Sequence, residues 1–315
     1  MMHKISDIES CFGAEYQYEG NKSINSFEKV AAVSEADENS LVWISPRKQN
    51  PEKIITETKA GLIICSLEMV IDEKILKDKL LIKVRSPKLT LIRILEKLYA
   101  PKIEYGIHSS ACVHKEAKIN KNVYIGPFTY VGNCEIDEGT IIHGNCFIFD
   151  NVKIGKNVSI NAGSIIGSEG FGYELNEKNE YEKFIHIGGV EINDNVDIGA
   201  NTCVVRGALA NTIIGEGTKI DNLVHIGHNA IIGKHCIITA NNMVGGSVRI
   251  EDHSWLGPSS STLNQLTLAK NSYAGLGSVI TKNLPSGEVW VGNPAGPIEE
   301  MKRLHEKFRE LLSED

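Results

Sequence analysis

The sequence predicts a mainly β chain, in which a small α/β domain is followed by a parallel β-helix and then by a single helix. Three observations lead to this fold class. An aliphatic or small residue returns every six positions over most of the chain. The first hundred residues lack that repeat. The last segment, 297–315, carries apolar residues at helical spacing.

The six-residue repeat is clearest from Ile214 onward. Twelve successive positions carry an aliphatic or small residue, namely Ile214, Ile220, Ile226, Ile232, Ile238, Val244, Ile250, Leu256, Thr262, Leu268, Ala274 and Ile280. The same phase runs earlier from 119 to 131, slips by one residue, continues from 136 to 166, and returns from 192 to 204. Thr262 and Ala274 are its weakest members. Such a run does not arise by chance, so the repeat is structural.

A period of six fits neither a helix nor a simple alternating strand, but it is typical of a parallel β-helix. Each hexad forms one short strand and a turn, and three hexads make a triangular coil. The aliphatic residues stack inside, whereas Gly, Asn and Asp form the corners, where unusual backbone angles are tolerated. Successive coils should lie about 4.8 Å apart, as neighbouring strands do. The repeat therefore predicts a β-helix over residues 101–296.

Two interruptions break the phase of the repeat, at 168–186 and at 205–213. A coil cannot bury these sequences, so we expect both to leave it as loops. Loops that leave a rigid scaffold are common places for binding sites, although an insertion without a role is the alternative for the first one.

The two ends of the chain have other patterns. Residues 1–100 mix helical stretches with the apolar strand candidates SLVWI, GLIICS and LLIKV, which predicts a small α/β domain. Residues 297–315 form a predicted amphipathic helix, with its apolar stripe at Met301, Leu304, Phe308, Leu311 and Leu312. Because both flanks of this helix are acidic, we expect the stripe to pack in the helix bundle of an oligomer rather than on a membrane.

Composition excludes several classes of partner. The formal net charge of −7 argues against nucleic acid, which normally binds a basic surface. No apolar run is long enough for a secretory signal or a membrane span, so the sequence predicts a cytoplasmic protein without an integral membrane segment. Seven cysteines without a CxxC pair predict neither a disulfide framework nor a zinc ribbon.

Two long motifs resemble one known family. FGYELNEKNEYEKFIHIGGVEI at 171–192 and DNVDIGANTCVVRGALANTIIGEGTKIDNLVHIGHNAIIG at 194–233 are similar to the UDP-3-O-(3-hydroxyacyl)glucosamine N-acyltransferases of lipid A biosynthesis, a family of hexapeptide-repeat acyltransferases. The resemblance covers roughly residues 1–255. It implies a left-handed β-helix, against the usual right-handed crossover rule. It also implies acyl transfer from a thioester to the amine of a nucleotide-linked amino sugar, with no permanently bound cofactor.

The resemblance places the general base at His228, in the segment NLVHIGHN. His228 follows the inward Ile226 by two residues and lies next to a corner, so its ring can project outward. Gly246 should lie directly above it, one coil later, and its N–H is the expected oxyanion donor. A sugar amine must lose a proton to attack, and imidazole, with a reference pKa near 6.5, suits that task. His228 and Gly246 are therefore the predicted catalytic residues.

The other histidines of this segment have competing interpretations. A metal site is disfavoured, because His225 and His228 have no carboxylates or thiolates at ligand spacing in their coil. His225 is either a surface residue or a substrate contact, and His235 is predicted to be a solvated corner. Asp221 either orients the imidazole or, as we prefer, only forms a turn.

The remaining site residues are assigned to substrate or donor. Predicted substrate contacts are Phe171, Tyr173, His186, Asn222, His225 and Trp43, and predicted donor contacts are Gln265 and Asn293. Trp43 can stack on a base, but the Asn and Tyr of the family's uracil-binding stretch are absent. A second family histidine falls at Gln265, which cannot become a cation. The segment 275–295, which ends in Val-Gly-Asn-Pro-Ala, resembles the last coil of acetyl-CoA-dependent hexapeptide enzymes.

Two acyl donors therefore stay open, a 3-hydroxyacyl chain on acyl carrier protein and a short acyl group on coenzyme A. The polar residues between 259 and 265 favour the short group, since they make a poor wall for a fatty tail.

Because one face of a single coil is too shallow to bury a thioester arm, we expect a homotrimer with the site between protomers. A cysteine nucleophile is disfavoured, because Cys236 occupies an inward position. A non-catalytic scaffold trimer and a sugar O-acetyltransferase are the alternatives.

Overall fold

The structure is a computed structural model that describes residues 2–312. The chain divides into two compact units, one that ends at Lys102 and one that begins at Ile103. Within residues 2–312, no helix has the length and apolar character needed to cross a membrane.

The first unit is built on a five-stranded sheet with helices. Its strands are β1 (His3–Lys4), β2 (Tyr16–Gly20), β3 (Ser26–Phe27), β4 (Lys29–Val30), β5 (Ser40–Trp43), β6 (Leu62–Ser66) and β7 (Leu80–Val84). Its helices are α1 (Ile5–Ile8), α2 (Pro51–Glu57) and α3 (Pro87–Tyr99), with short 3₁₀ turns at Glu9–Cys11, Val33–Glu35 and Glu73–Leu76. The sheet has the order β2-β7-β6-β5-β4, and only its β2–β7 pair is antiparallel. Strands β1 and β3 form a separate antiparallel pair.

Apolar sequence runs explain this sheet. All five residues of β7 are buried, as expected for an inner strand of a sheet that is covered on both faces. Ile94 of α3 packs in the core on one face, whereas Ile55 of α2 packs in the core on the other. Helix α3 begins at Pro87, a position where the missing N–H has no intrahelical partner to lose. The predicted small α/β domain and its three strand candidates are confirmed.

The second unit consists almost entirely of two- and three-residue strands. They are β8 (Gly106–Ile107), β9 (Cys112–Val113), β10 (Lys118–Ile119), β11 (Tyr124–Ile125), β12 (Tyr130–Val131), β13 (Glu135–Ile136), β14 (Ile141–Ile142), β15 (Phe147–Ile148), β16 (Val152–Ile154), β17 (Ser159–Ile160), β18 (Ile165–Ser168), β19 (Tyr173–Leu175), β20 (Tyr181–Lys183), β21 (Val190–Ile192), β22 (Asp197–Ile198), β23 (Cys203–Val205), β24 (Thr212–Ile214), β25 (Lys219–Ile220), β26 (His225–Ile226), β27 (Ile231–Ile232), β28 (Ile237–Ile238), β29 (Met243–Val244), β30 (Arg249–Ile250), β31 (Trp255–Leu256), β32 (Ser261–Thr262), β33 (Thr267–Leu268), β34 (Tyr273–Ala274), β35 (Val279–Ile280), β36 (Val289–Val291) and β37 (Gly296–Pro297). Helix α4 (Ile298–Leu312) follows them.

These strands form three parallel ladders, one for each face of a triangular coil. The β8 ladder has the order β8-β11-β14-β17-β22-β25-β28-β31-β34-β36-β37, the β9 ladder β9-β12-β15-β18-β23-β26-β29-β32-β35, and the β10 ladder β10-β13-β16-β21-β24-β27-β30-β33. Only the last strand, β37, pairs antiparallel within these ladders. The predicted parallel β-helix is confirmed, whereas its left-handed sense stays a prediction of the resemblance.

The hexad positions form the interior of the coil. All twelve residues from Ile214 to Ile280 are at most 3% exposed. Ile220 pairs with Ile238, so each coil takes three hexads, as predicted. The weak member Thr262 is also buried, because its Oγ1 accepts a hydrogen bond from the Gly245 N–H at 3.0 Å. A polar side chain is therefore accommodated inside where the backbone offers it a partner.

The corners use left-handed backbone three residues after each inward position. Asn229, His235, Asn241 and Gln265 have φ between 53° and 64°. Asn tolerates this region better than most residues, which explains why it recurs at these positions. His235 is confirmed as an exposed corner, and its ring stacks on that of His253 from the next coil, with centroids 5.3 Å apart.

Both predicted loops leave the coil. Ile154 pairs with Ile192 rather than with a residue three hexads later, so the first loop is inserted between two paired strands. It contains the antiparallel hairpin of β19 and β20. Ile192 pairs with Ile214, which makes the second loop a much shorter insertion. The inward positions stay paired across each of them, with one register shift between Ile166 and Ser168 where the first loop begins.

The carboxyl-terminal helix is amphipathic, as predicted. Met301 packs against Gly292, which precedes the helix. Leu304, Phe308 and Leu311 are 56%, 63% and 65% exposed. These three side chains are therefore uncovered in the single chain. Of the predicted helical segment, residues 313–315 lie outside the described part of the chain.

Candidate active site

A cavity of about 380 Å³ opens beside His228 on the outer face of the β9 ladder. Its wall includes Cys203, His225 and Met243 from three successive coils, and Phe171 from the first loop. Phe171 is 86% exposed, so the loop adds an apolar rim. The cavity therefore combines a rigid wall with one side that a loop supplies.

A larger cavity of about 540 Å³ lies on the β10 ladder. Its wall alternates Lys118, Glu135, Lys153 and Glu191, and Lys118 pairs with Glu135 at 2.8 Å. Among the described residues that line it, none is a histidine, cysteine or serine. An open, ion-paired wall without an imidazole is less suited to acid–base chemistry near neutral pH, so we take the smaller cavity as the candidate site.

His228 is oriented by the residue that follows it. Its Nδ1 lies 3.1 Å from Oδ1 of Asn229. The same Oδ1 accepts a hydrogen bond from the Ala208 N–H at 2.9 Å, and Asn229 Nδ2 donates to the Ala210 carbonyl oxygen at 3.2 Å. Because a backbone N–H only donates and a carbonyl oxygen only accepts, the second loop fixes which end of the Asn229 amide faces His228.

This arrangement defines the tautomer of His228. Facing an acceptor, Nδ1 carries the proton and donates it, so Nε2 presents its lone pair. That nitrogen lies against Gly246, where an added Cβ would be only 2.6 Å from Nε2. The ring therefore occupies space that only a glycine leaves open. The structure brings the two predicted catalytic residues into contact.

The predicted oxyanion donor is not free, however. The Gly246 N–H donates to Oδ1 of Asn264, one coil further on, at 3.0 Å. Asn264 also lines the cavity. Sequence reasoning counted it only among the polar residues between 259 and 265, although the equal spacing of positions 228, 246 and 264, one coil each, was a signal that places it beside Gly246.

His186 packs behind His228 instead of lining the cavity. It is 4% exposed, and the two imidazole rings meet edge to face with centroids 5.3 Å apart. Its Nδ1 lies 2.8 Å from the Phe184 carbonyl oxygen and therefore carries the proton. Its Nε2 is buried against Gly170 and has no partner among the described residues. In this structure the predicted substrate contact His186 touches His228, because the first loop folds over it.

Two further predicted contacts lie at the cavity or its rim. His225 lines the cavity, and desolvation lowers its pKa even though part of the side chain is exposed. Tyr173 packs on Phe171 with ring centroids 4.9 Å apart, and both line a neighbouring cavity of about 570 Å³ with Tyr181. The first loop therefore presents an aromatic surface next to the site.

Cys203 and Cys236, which both lie in coils close to His228, differ in their surroundings. Cys236 is buried inside the coil, and that burial raises its pKa. Cys203 lies across the ladder from His225 and lines the cavity, with its Sγ 3.4 Å from Oγ of Ser168. Sequence reasoning missed Cys203 because it considered only the coil of His228. All seven cysteines, which lie within the described residues, are free thiols.

Several predicted residues do not reach the cavity. Asn222 caps a different corner, where its Oδ1 accepts from the Ala200 N–H at 2.6 Å, and Asp221 accepts from the Asn222 N–H at 2.7 Å. Gln265 takes the left-handed corner position, which directs its side chain to solvent. Asn293 follows β36, beyond the coils that form the cavity. The proposed contacts of Asn222, Gln265 and Asn293 are therefore not seen in this structure.

Trp43 belongs to the first unit, where it ends β5 and packs partly buried against the core. Its assignment to a nucleotide stays a prediction. Within residues 2–312, no group of three or more His, Cys, Asp or Glu side chains is arranged to hold a metal ion.

Two family models match parts of the β-helix. The model for bacterial transferase hexapeptide (six repeats) matches residues 211–246, and the model for the GMPPB C-terminal domain matches residues 104–171. The first of these segments contains His228 and Gly246. Neither match extends into the first unit.

The chain is similar to proteins named UDP-3-O-acylglucosamine N-acyltransferase. One from Methylobacterium nodulans is 42% identical over 169 residues, which are 51% of this chain and 47% of that protein. One from Coxiella burnetii is 30% identical over 274 residues, which are 78% of this chain and 75% of that protein. The chain spans about half the length of the Methylobacterium relative.

Solved structures share the β-helix. LpxA from Acinetobacter baumannii is 30% identical, with a TM-score of 0.54, over 62% of this chain and 76% of its own. The UDP-N-acetylglucosamine acyltransferase of Francisella novicida is 27% identical, with a TM-score of 0.56, over 63% and 73% of the two chains.

The orientation of Asn229 leads to a prediction about His228. In the wild-type protein the neutral ring should carry its proton on Nδ1, and Asn229→Ala should shift the population towards the Nε2–H form, because no acceptor then holds the proton on Nδ1. Side-chain ¹⁵N chemical shifts of labelled histidine, recorded above the titration range, measure both forms.

Asn211→Ala is the matched control for that measurement. Asn211 lies on the same loop, and its Oδ1 accepts from the Gly189 N–H at 2.9 Å without a bond to His228. It should leave the tautomer unchanged. A wild-type ring protonated mainly on Nε2 would contradict the orientation described above.

Proposed function

Because the chain belongs to the UDP-3-O-acylglucosamine N-acyltransferase family, we propose that it transfers an acyl group from a thioester to the amine of a nucleotide-linked amino sugar. The observation that carries this proposal is the oriented imidazole of His228, whose Nε2 presents a lone pair next to the cavity. The names of the relatives make UDP-3-O-acylglucosamine the first acceptor to test.

The reaction follows from the position of that lone pair. Nε2 takes a proton from the sugar amine while the amine nitrogen forms a bond to the thioester carbonyl carbon, and negative charge develops on the carbonyl oxygen. Collapse of the tetrahedral intermediate breaks the carbon–sulfur bond. The leaving thiolate then takes the proton from Nε2. Throughout these steps the Nδ1–H stays bonded to Asn229, which keeps the ring aligned.

Direct attack by the amine needs neither a permanently bound cofactor nor an acyl-enzyme. Cys203 lines the cavity, but the sequence of steps above is complete without it. The first unit is proposed to hold the nucleotide by stacking its base on Trp43. We place the reaction in the cytoplasm, where both candidate acyl donors are made.

One buried serine and one exposed leucine support a longer acyl chain as the donor. Ser260 is fully buried, and its hydroxyl donates to Asn242. The Ser259 hydroxyl accepts from Asn241 at 3.1 Å. Ser260 therefore does not wall an open channel, whereas Ser259 is exposed and Leu263 beside them is 58% exposed. We propose a 3-hydroxyacyl chain on acyl carrier protein as the donor and keep a short acyl group on coenzyme A as the alternative.

The donor prediction is tested with purified protein and four reaction mixtures. UDP-3-O-acylglucosamine and UDP-N-acetylglucosamine are each combined with 3-hydroxyacyl carrier protein and with acetyl-CoA, and products are identified by mass spectrometry. We expect N-acylation in one mixture only, the one that contains UDP-3-O-acylglucosamine and 3-hydroxyacyl carrier protein. Turnover with acetyl-CoA but not with the carrier protein would restore the short acyl donor. Acylation of UDP-N-acetylglucosamine would indicate transfer to a hydroxyl group. Absence of turnover in every mixture would favour a non-catalytic scaffold.

Assembly as a homotrimer is part of the proposal. Its support is the exposed side chains of Leu304, Phe308 and Leu311 on α4 and the exposed aromatic rim at Phe171, Tyr173 and Tyr181, since apolar patches of this kind commonly mark interfaces. Light scattering at micromolar concentration should give three times the chain mass of 34.6 kDa. A particle with the mass of one chain would show that the single chain provides the whole site.

The proposed role of His228 as the general base can be tested by substitution. His228→Ala should lower turnover by ~10² to 10⁴, the usual contribution of general base catalysis, with little change in substrate affinity or thermal stability. His235→Ala is the control, because His235 lies at an exposed corner outside the cavity. Equal losses in the two variants, or full activity of His228→Ala, would mean that the imidazole is not the base.

A further inference from the structure

His186 belongs to the first loop and lies directly behind His228. Its side chain is 4% exposed, and its ring meets the ring of His228 edge to face, with centroids 5.3 Å apart and planes at 77°. Aromatic rings favour this arrangement when they pack together. Because His186 is not among the described residues that line the cavity, it can influence the chemistry only through its contact with His228.

The first loop holds the His186 ring on its other sides. Nδ1 donates to the Phe184 carbonyl oxygen at 2.8 Å, and the Phe184 ring stands edge to face on the imidazole with centroids 5.7 Å apart. A Cβ added at Gly170 would collide with Nε2, and one added at Gly172 would lie 3.0 Å from Cε1. The two glycines therefore bring the loop backbone close to the ring, which cannot move away from His228 without losing its bond to Phe184.

An imidazole is a costly side chain at this position. The Nε2 atom of His186 is buried and has no hydrogen-bond partner among the described residues. Burial of an acceptor without a partner destabilises a fold, and a phenyl ring would fill nearly the same space without that cost. Proteins break such rules mainly at functional sites. An imidazole, unlike a phenyl ring, also donates to the Phe184 carbonyl oxygen, and that bond anchors it behind His228.

We propose that His186 is a positioning residue, which fills the space behind His228 and keeps the His228 Nε2 against Gly246. Asn229 fixes the rotation of the His228 ring at Nδ1, whereas His186 prevents the ring from moving back from the cavity. A base that can withdraw from the amine spends less time within reach of its proton, so this confinement raises kcat rather than substrate affinity. The inference rests on the proposed acyl transfer and adds to it a residue that acts without touching the substrate.

Substitution of His186 tests this role. In His186→Ala we expect kcat to fall by ~10- to 100-fold with little change in KM for either substrate, because a displacement of about 1 Å can cost that much. His186→Phe restores a ring behind His228 but not the bond to Phe184, so it should be clearly more active than His186→Ala. His253→Ala is the matched control and should leave kcat unchanged, since the His253 ring contacts that of His235 at the same centroid distance, 5.3 Å, at an exposed corner.

A double substitution separates positioning from a general effect on the fold. If His186 acts only through His228, His186→Ala should not lower further the residual turnover of His228→Ala. Multiplied losses in the double variant, wild-type kcat in His186→Ala, or a higher KM without a lower kcat would each overturn the inference. If melting curves show that His186→Ala does not fold, His186→Gln takes its place, because it keeps a donor for the Phe184 carbonyl oxygen but has no ring.

A spectroscopic measurement needs no turnover. In the wild type, the side-chain ¹⁵N signals of His228 should show one tautomer, protonated on Nδ1. In His186→Ala the two tautomers should mix, because a ring that can move back also loosens its bond to Asn229. Unchanged His228 signals would overturn the inference. Absence of wild-type turnover in all four mixtures would instead remove the proposed function, and this measurement would still decide whether His186 confines the ring.

Discussion

The structure depends on one constraint, the stacking of an aliphatic interior in which every third hexad returns to the same face. Once Ile226, Val244 and Thr262 are buried one above another, the residues two positions after each of them share one corner. His228 and Asn264 therefore lie on either side of Gly246, although two full coils of chain separate them. Both loops preserve this column, because the inward positions stay paired with one another across each insertion.

This period also explains how much could be predicted. The hexads identified the interior, the loops and the contact between His228 and Gly246, since each follows from counting residues along a regular coil. Counting residues does not show what conformation an inserted loop adopts before it rejoins the coil. The burial of His186 and the bonds from Asn229 to Ala208 and Ala210 depend on loop conformation, which no periodicity encodes.

The residues that do not reach the cavity have a related cause. Asn222 is polar and close to His228 in the sequence, but the coil uses its side chain to satisfy a backbone N–H. In a β-helix every corner needs such a partner, so most corner Asn and Asp residues are structural. A functional corner residue is one that still has a free hydrogen-bonding group after its corner is satisfied.

Asn229 meets that condition. Its amide is held by two backbone groups of the second loop, so it cannot rotate to exchange its oxygen and nitrogen without losing a bond. Its oxygen is then directed at His228. Groups that are oriented before the substrate arrives need little reorganisation during the reaction, which is the main way that fixed dipoles lower a barrier. The same hydrogen bonds that stabilise the coil therefore also preorganise the site.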